Sequence, residues 1–174
     1  MVGTLTVQNL QGPASGANAN KVIIPSGHTL HAAGHVMQVV QTVHTNAIAK
    51  ASSLFSATGI SASITPSSST SKILVMYDVQ YHIDTSPSSG GIGLQIYRNG
   101  SFLIGDDTGY RTAYSQLSAS GTRPRGRASF SYLDSPSTTS PVTYELYWAT
   151  WDVATSQLSE GNVPSTITLM EIAQ

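Results

Sequence analysis

Apolar and polar positions alternate most clearly over residues 71–81 (SKILVMYDVQY). Ile73, Val75, Tyr77, Val79 and Tyr81 fall on one side of a strand there, with Leu74 and Met76 on the other before Asp78 and Gln80 turn it polar. One side is expected to fill the middle of a sandwich, and the half-apolar reverse suits a covering loop or a neighbouring subunit. Strand signals recur at residues 36–43 (VMQVVQTV), 60–64 (ISASI), 92–98 (IGLQIYR), 102–104 (FLI), 128–133 (ASFSYL), 144–151 (YELYWATW) and 166–172 (TITLMEI), making eight candidates with 72–81. The alanines of residues 46–55 (NAIAKASSLF) tolerate a helix, but no cap or lasting 3.6-residue period supports one, so this stretch reads as an irregular strand.

Turn chemistry orders these strands. Asn99-Gly100 takes the positive φ angles of a two-residue type I′ hairpin, which should set Ile92, Leu94 and Ile96 across the core from Phe102 and Ile104. The connections over residues 83–91, 105–127 and 134–142 are long and rich in Ser, Gly and Pro, which suggests a Greek key or jelly roll over a simple meander. Before the strands, residues 11–20 (QGPASGANAN) read as a linker, and residues 22–34 (VIIPSGHTLHAAG) are two short extended pieces too sparsely apolar to form their own layer. The expectation is an all-β, antiparallel, jelly-roll-like β-sandwich head over residues 35–174, preceded by a short extended N-terminal arm over residues 1–34 that docks or links.

Composition narrows the function. A chain of 174 residues supports one sizeable core, and with 10% charged residues and a net charge of −1 it lacks the electropositive footprint of general nucleic-acid binding. Roughly a quarter of the residues are Ser or Thr, so solubility comes from a hydroxyl-coated sheet surface. The chain has no cysteine, which excludes disulfides, zinc-thiolate sites and thiol nucleophiles. The first ten residues lack the pattern of a secretory signal, and no apolar run reaches the ~20 residues of a membrane helix, so a product made in the cytoplasm without membrane insertion is expected.

Five segments carry a resemblance: residues 37–43 (MQVVQTV), 61–76 (SASITPSSSTSKILVM), 97–106 (YRNGSFLIGD), 131–146 (SYLDSPSTTSPVTYEL) and 166–173 (TITLMEIA). Together they resemble a domain of tail-fibre and virion structural proteins from tailed bacteriophages, notably those infecting aquatic bacteria. Residues 3–30 resemble the short arm that precedes this domain in small phage virion proteins. The resemblance implies a virion protein, a homotrimer with a β-sandwich head, acting in attachment to the host surface. Almost nothing precedes the arm, so the chain reads either as an excised terminal piece or as a small protein that docks on other virion proteins through its first ~30 residues. The second option admits a capsid decoration or head-fibre role.

The residues offer one sharp binding hypothesis. Residues 105–127 read as a loop that carries Arg111, Arg123, Arg125 and Arg127, half of the eight basic residues, interleaved with Tyr110 and Tyr114. Guanidinium forks suit phosphate and carboxylate groups and tyrosine faces suit sugar rings, so the loop is a candidate for host glycan or lipopolysaccharide. The plainer reading is a solvated turn, or pairing with Asp106, Asp107 or Asp134 of a neighbouring subunit. Tyr144, Leu146 and Trp148 share one face of their strand and Tyr147 and Trp151 the other. That is more aromatic area than one interior hides, and it nominates Tyr77, Tyr81, Tyr147 and Trp151 as an oligomer interface.

Other chemistry is sparser. His28, His31 and His35 form an H-x2-H-x3-H cluster, but residues 28 and 31 differ in parity along an extended segment and split between faces. Asp106-Asp107 lacks the further spaced oxygens of a calcium loop. No metal or cofactor is therefore expected. Neither a Ser-His-Asp order nor a phosphate loop stands out. The nine carboxylates pair for glycan hydrolysis only by assumption, so the expectation is binding without catalysis, with a glycan depolymerase as the remote alternative.

Overall fold

The computed structural model describes residues 11–19, 21–26, 32–84, 89–107, 112–116, 123–151 and 155–174. The chain divides into two compact units, Met1–Ala32 and Ala33–Gln174. Within the first, the described residues form turns closed by the N–H groups of Ala19 on Gly16 and Lys21 on Asn18, followed by an exposed Val22-Ile23-Ile24 run. The second unit holds every strand.

Among the described residues, eleven strands run in chain order: β1 Val36–His44, β2 Ile48–Lys50, β3 Ser56–Ile64, β4 Lys72–His82, β5 Ser89–Arg98, β6 Ser101–Gly105, β7 Ala113–Gln116, β8 Arg125–Asp134, β9 Val142–Trp151, β10 Ser156–Leu158 and β11 Ser165–Ile172. Every pairing is antiparallel. Three pairs of short strands each share one lane, because β10 and β11 both pair with β4, β2 and β1 flank them in turn, and β6 and β7 both pair with β5. The result is two four-lane sheets. Sheet A runs β1/β2, β11/β10, β4, β8, and sheet B runs β3, β9, β5, β6/β7. Numbered along the chain, the lanes stand 1-8-3-6 and 2-7-4-5, and all but one of the connections cross between sheets. That order is a double Greek key, the jelly roll.

Alternation explains the packing. Ile73, Val75 and Val79 of β4, Leu94 and Ile96 of β5, Tyr144, Leu146 and Trp148 of β9 and Ile167 and Leu169 of β11 point inward and are buried. The type I′ turn forms as expected, with φ of 48° at Asn99 and 78° at Gly100. Phe102 departs from expectation. A register shift between Ile96 and Tyr97 leaves Leu103 without a partner, so Ile104 stays opposite Ile96 while Phe102 swings to the outer face, edge-on to Tyr97 at 6.0 Å. Sequence reading also missed β7 and β10, whose four and three residues carry too short a pattern. Residues 46–55 contribute only β2.

The sandwich is tied together at three places by polar groups. Gln38 Nε2 donates to Glu171 Oε2 and to Thr65 O, both at 2.7 Å, and Ser67 donates its N–H and hydroxyl to Glu171 Oε1. Asp134, at the end of β8, accepts from Arg98 Nη1 at 2.8 Å and from the Tyr144 hydroxyl at 2.7 Å, which joins the two sheets. Burial, followed by that bond to Asp134, pushes the Tyr144 phenol far up. At the end of β4, Glu160 N–H and Ser159 N–H donate to Gln80, clamping the short 3-10 turn Glu160–Asn162 over buried His82. Among the described residues, no helix is long and apolar enough to cross a membrane.

Candidate binding cleft at the open sandwich edge

The inner faces of a sandwich are sealed only where facing strands bring large side chains to meet. Along the edge formed by β8 and β6 they do not meet fully, leaving a cleft of about 810 Å³. Tyr77, Ala128 and Phe130 of sheet A form one wall and Leu94, Ile96 and Ile104 of sheet B the other, with Phe102, Asp106, Asp107, Thr112, Arg127 and Ser129 around them. Phe130 has inward parity, yet it is 39% exposed, because among the described residues no strand lies beyond β8. Its ring stacks on Tyr77 at 5.8 Å and 29°.

The polar side of the cleft is held by the backbone. Gly105 has φ 143°, and a Cβ there would lie 2.5 Å from Leu94 O, so no other residue fits without displacing β5. The tight passage lets Asp106 N–H donate to Leu94 O at 2.9 Å while Gln95 Nε2 donates to Asp106 O at 2.6 Å. Thr112 closes the loop, its N–H donating to Asp106 Oδ2 and its hydroxyl oxygen accepting Leu94 N–H, both at 2.9 Å. Burial pushes the Tyr77 phenol up to about 12, and the Asp106 carboxylate adds to the rise.

The arginines do not form a single loop patch. Arg125 and Arg127 belong to β8, and Arg123 precedes it. Each holds a carboxylate of the same chain. Arg123 Nε lies 2.7 Å from Asp84, Arg125 is bidentate on Glu160 at 2.7 and 3.0 Å, and Arg127 grips Asp78 at 2.7 and 2.9 Å with Pro164 O at 3.0 Å. The β4–β8 register sets Gln80 opposite Arg127 and His82 opposite Arg125, which brings these two arginines to Asp78 and Glu160 of their own chain. Arg127 holds Asp78 below its usual range, and Arg125 holds Glu160 down at about 2, with His82 Nδ1 2.9 Å from the same carboxylate. Asp84 lies 3.9 Å from the other ring nitrogen of His82. Tyr114 is exposed on β7, while Tyr110 and Arg111 lie outside the described residues.

The four nominated interface tyrosines and tryptophan also separate. Tyr77 is only 8% exposed and Tyr81 packs against the core, so both sit on the inner face of sheet A and give a second copy little surface. Tyr147 lies on the outer face of sheet B, stacked on Tyr97 at 3.7 Å and 13°, and Trp151 follows on the same strand at 43% exposure. The outer face of sheet A is apolar as well, with exposed Val39, Val43 and Leu133 beside half-buried Leu74, Met76, Met170 and Ile172. Of the arm histidines, His28 and His31 lie outside the described residues and His35 is exposed. Among the described residues, no three His, Asp or Glu side chains converge as metal ligands would.

The cleft therefore opens on the lateral edge of an eight-lane, double-sheet jelly roll, which is the class this fold defines. No protein-family model matches the chain, and no curated protein matches it in sequence. Its fold is similar to that in the crystal structure of the infectious bursal disease virus VP2 subviral particle, with TM-score 0.51 and 13% identity over 92% of this chain and 40% of that one. A crystal structure of the IBDV viral particle aligns with TM-score 0.46 and 15% identity over 87% of this chain and 39% of that one. The chain spans less than half the length of these chains, and at such identity the likeness is one of fold.

Proposed function

We propose that this protein is a structural component of a virus particle, a homotrimeric tail fibre that attaches to the host surface by binding, with no chemical turnover. The observation that carries the reading is a complete jelly roll whose sheet A turns an apolar outer face to solvent, including Val39 at 54% exposure. Such a face suits packing between copies or against another virion protein. The fold shared with a viral particle chain supports the same setting. Binding without turnover is supported by how the carboxylates are used: Asp78, Asp84, Asp134, Glu160 and Glu171 are each engaged in an ion pair or hydrogen bonds within the chain.

Equilibrium sedimentation tests the assembly. A species three times the 18.3 kDa chain is expected, and a compact monomer would overturn the trimer. Purified protein should also block adsorption of the particle to its host, and undiminished adsorption would remove the attachment role. The origin of the solved neighbours in viral particles favours a second reading, in which the trimer decorates the capsid. Electron microscopy of labelled particles separates tail from capsid, and release of new reducing ends from host polysaccharide would point instead to a depolymerase.

A further inference from the structure

We propose that the cleft between β8 and β6 takes one hexopyranose unit of a neutral glycan. The inference deepens the attachment reading and rests on it for its biological setting, while the binding itself is a property of the isolated chain. A pyranose ring has two kinds of surface, C–H faces that pack on aromatic rings and a belt of hydroxyls that donate hydrogen bonds. The cleft presents the complement of both. Phe130, backed by Tyr77, supplies a ring face on one side, and Phe102, 54% exposed on the outer side of edge strand β6, borders the mouth. Asp106 and Asp107 supply carboxylates on the polar side.

An ionised carboxylate only accepts, so the ligand must donate, as sugar hydroxyls do. Each has about four acceptor sites, so hydroxyls can be taken up alongside the bonds the carboxylates already make. Asp106 is held in place before any ligand arrives, through Thr112 N–H on Oδ2 and Gln95 on its carbonyl. Preorganisation of this kind lowers the cost of binding. Charge decides against acidic sugars. The guanidinium of Arg127 is committed to Asp78, and Ser129 donates to the same carboxylate, so an anion would meet the two acids Asp106 and Asp107 without an uncommitted cation among the described lining residues. The volume of about 810 Å³ lies in the range of small-ligand sites.

The test is saturation-transfer NMR and calorimetry on the purified chain with methyl galactoside, methyl glucoside and N-acetylglucosamine, with galacturonate as the anionic counterpart. Saturable binding of at least one neutral sugar is expected, weaker for galacturonate than for the galactoside, with Phe102→Ala and Phe130→Ala each lowering affinity about tenfold. Phe102 is solvent-exposed, so its variant keeps the test valid if Phe130→Ala fails to fold. Absence of saturable neutral-sugar binding, binding undiminished in Phe102→Ala, or a preference for galacturonate would each overturn the inference. None of these results bears on particle imaging or sedimentation, so the virion reading stands or falls separately.

Discussion

The two lateral edges of the sandwich are built by opposite means. At the edge of β1 and β3, the buried Glu171 carboxylate gathers Ser67 and Gln38, and Gln38 reaches on to Thr65, so the sheets are stitched through polar groups. At the edge of β8 and β6, Asp134 joins the sheets at one end, and beyond it Phe130 and Phe102 stand partly in solvent around a cleft. One edge is closed for stability. The other keeps its aromatic rings accessible, which is what a binding site requires and a core avoids.

The sharpest way to break this contrast is Glu171→Ala, which removes the acceptor for three donors in a dry setting. A loss of about 3 kcal/mol is expected in denaturant unfolding, and a loss under about 1 kcal/mol would show that the closed edge is not stitched this way. The same residue fixes a pH dependence. Burial alone would push Glu171 up, but the hydrogen bonds from Ser67 and Gln38 outweigh it and bring the carboxyl down to about 2. Glu160 also lies at about 2, held chiefly by Arg125. Both carboxyls are depressed relative to the unfolded chain, so their contribution is present above about pH 4.5 and is lost as pH falls toward 2. The melting temperature should decline across that window, and less steeply in Glu171→Ala.

At the open edge, Asp134→Asn should cost about 2 kcal/mol, because it weakens the link from β8 to both Arg98 and Tyr144. Phe130→Ala, by contrast, should cost only about 1 kcal/mol, since the ring is already partly wet and loses a single stacking partner. A cost near that of Glu171→Ala would mean the open edge is core after all. Smallest is Arg127→Ala. Its pair with Asp78 is solvent-exposed, so a change of 0 to about 1 kcal/mol in chemical unfolding is expected. Adsorption of particles carrying Ala at Arg123, Arg125 and Arg127 together gauges the arginine patch. Because each of the three is already spent on an acid of its own chain, adsorption should stay near wild type.

Much of the fold was legible before any coordinates. Ile73, Val75 and Val79, or Tyr144, Leu146 and Trp148, lie inward because period-two alternation fixes which face a residue takes, and Asn99-Gly100 fixes its turn through the φ angles those residues tolerate. The site was much less legible. The arginines of the 105–127 stretch were visible, but Asp78, Asp84 and Glu160 were not recognisable as their partners, and nothing in residues 128–133 marks Phe130 as an edge residue. The exposure of Phe102 could not be seen either, since one unpaired residue at Leu103 reverses the face that parity assigns.

Local patterning along the chain is thus enough to define a set of antiparallel strands with known inner faces, because face and turn are properties of a few neighbouring residues. Which strands stand at the edges is settled only when distant segments pair. Lane order joins segments tens of residues apart: Glu171 meets Ser67, Arg125 meets Glu160, and Phe130 is partly exposed because no described strand pairs beyond β8. No local pattern encodes which strand will lack a neighbour, and that is the property that leaves the cleft open.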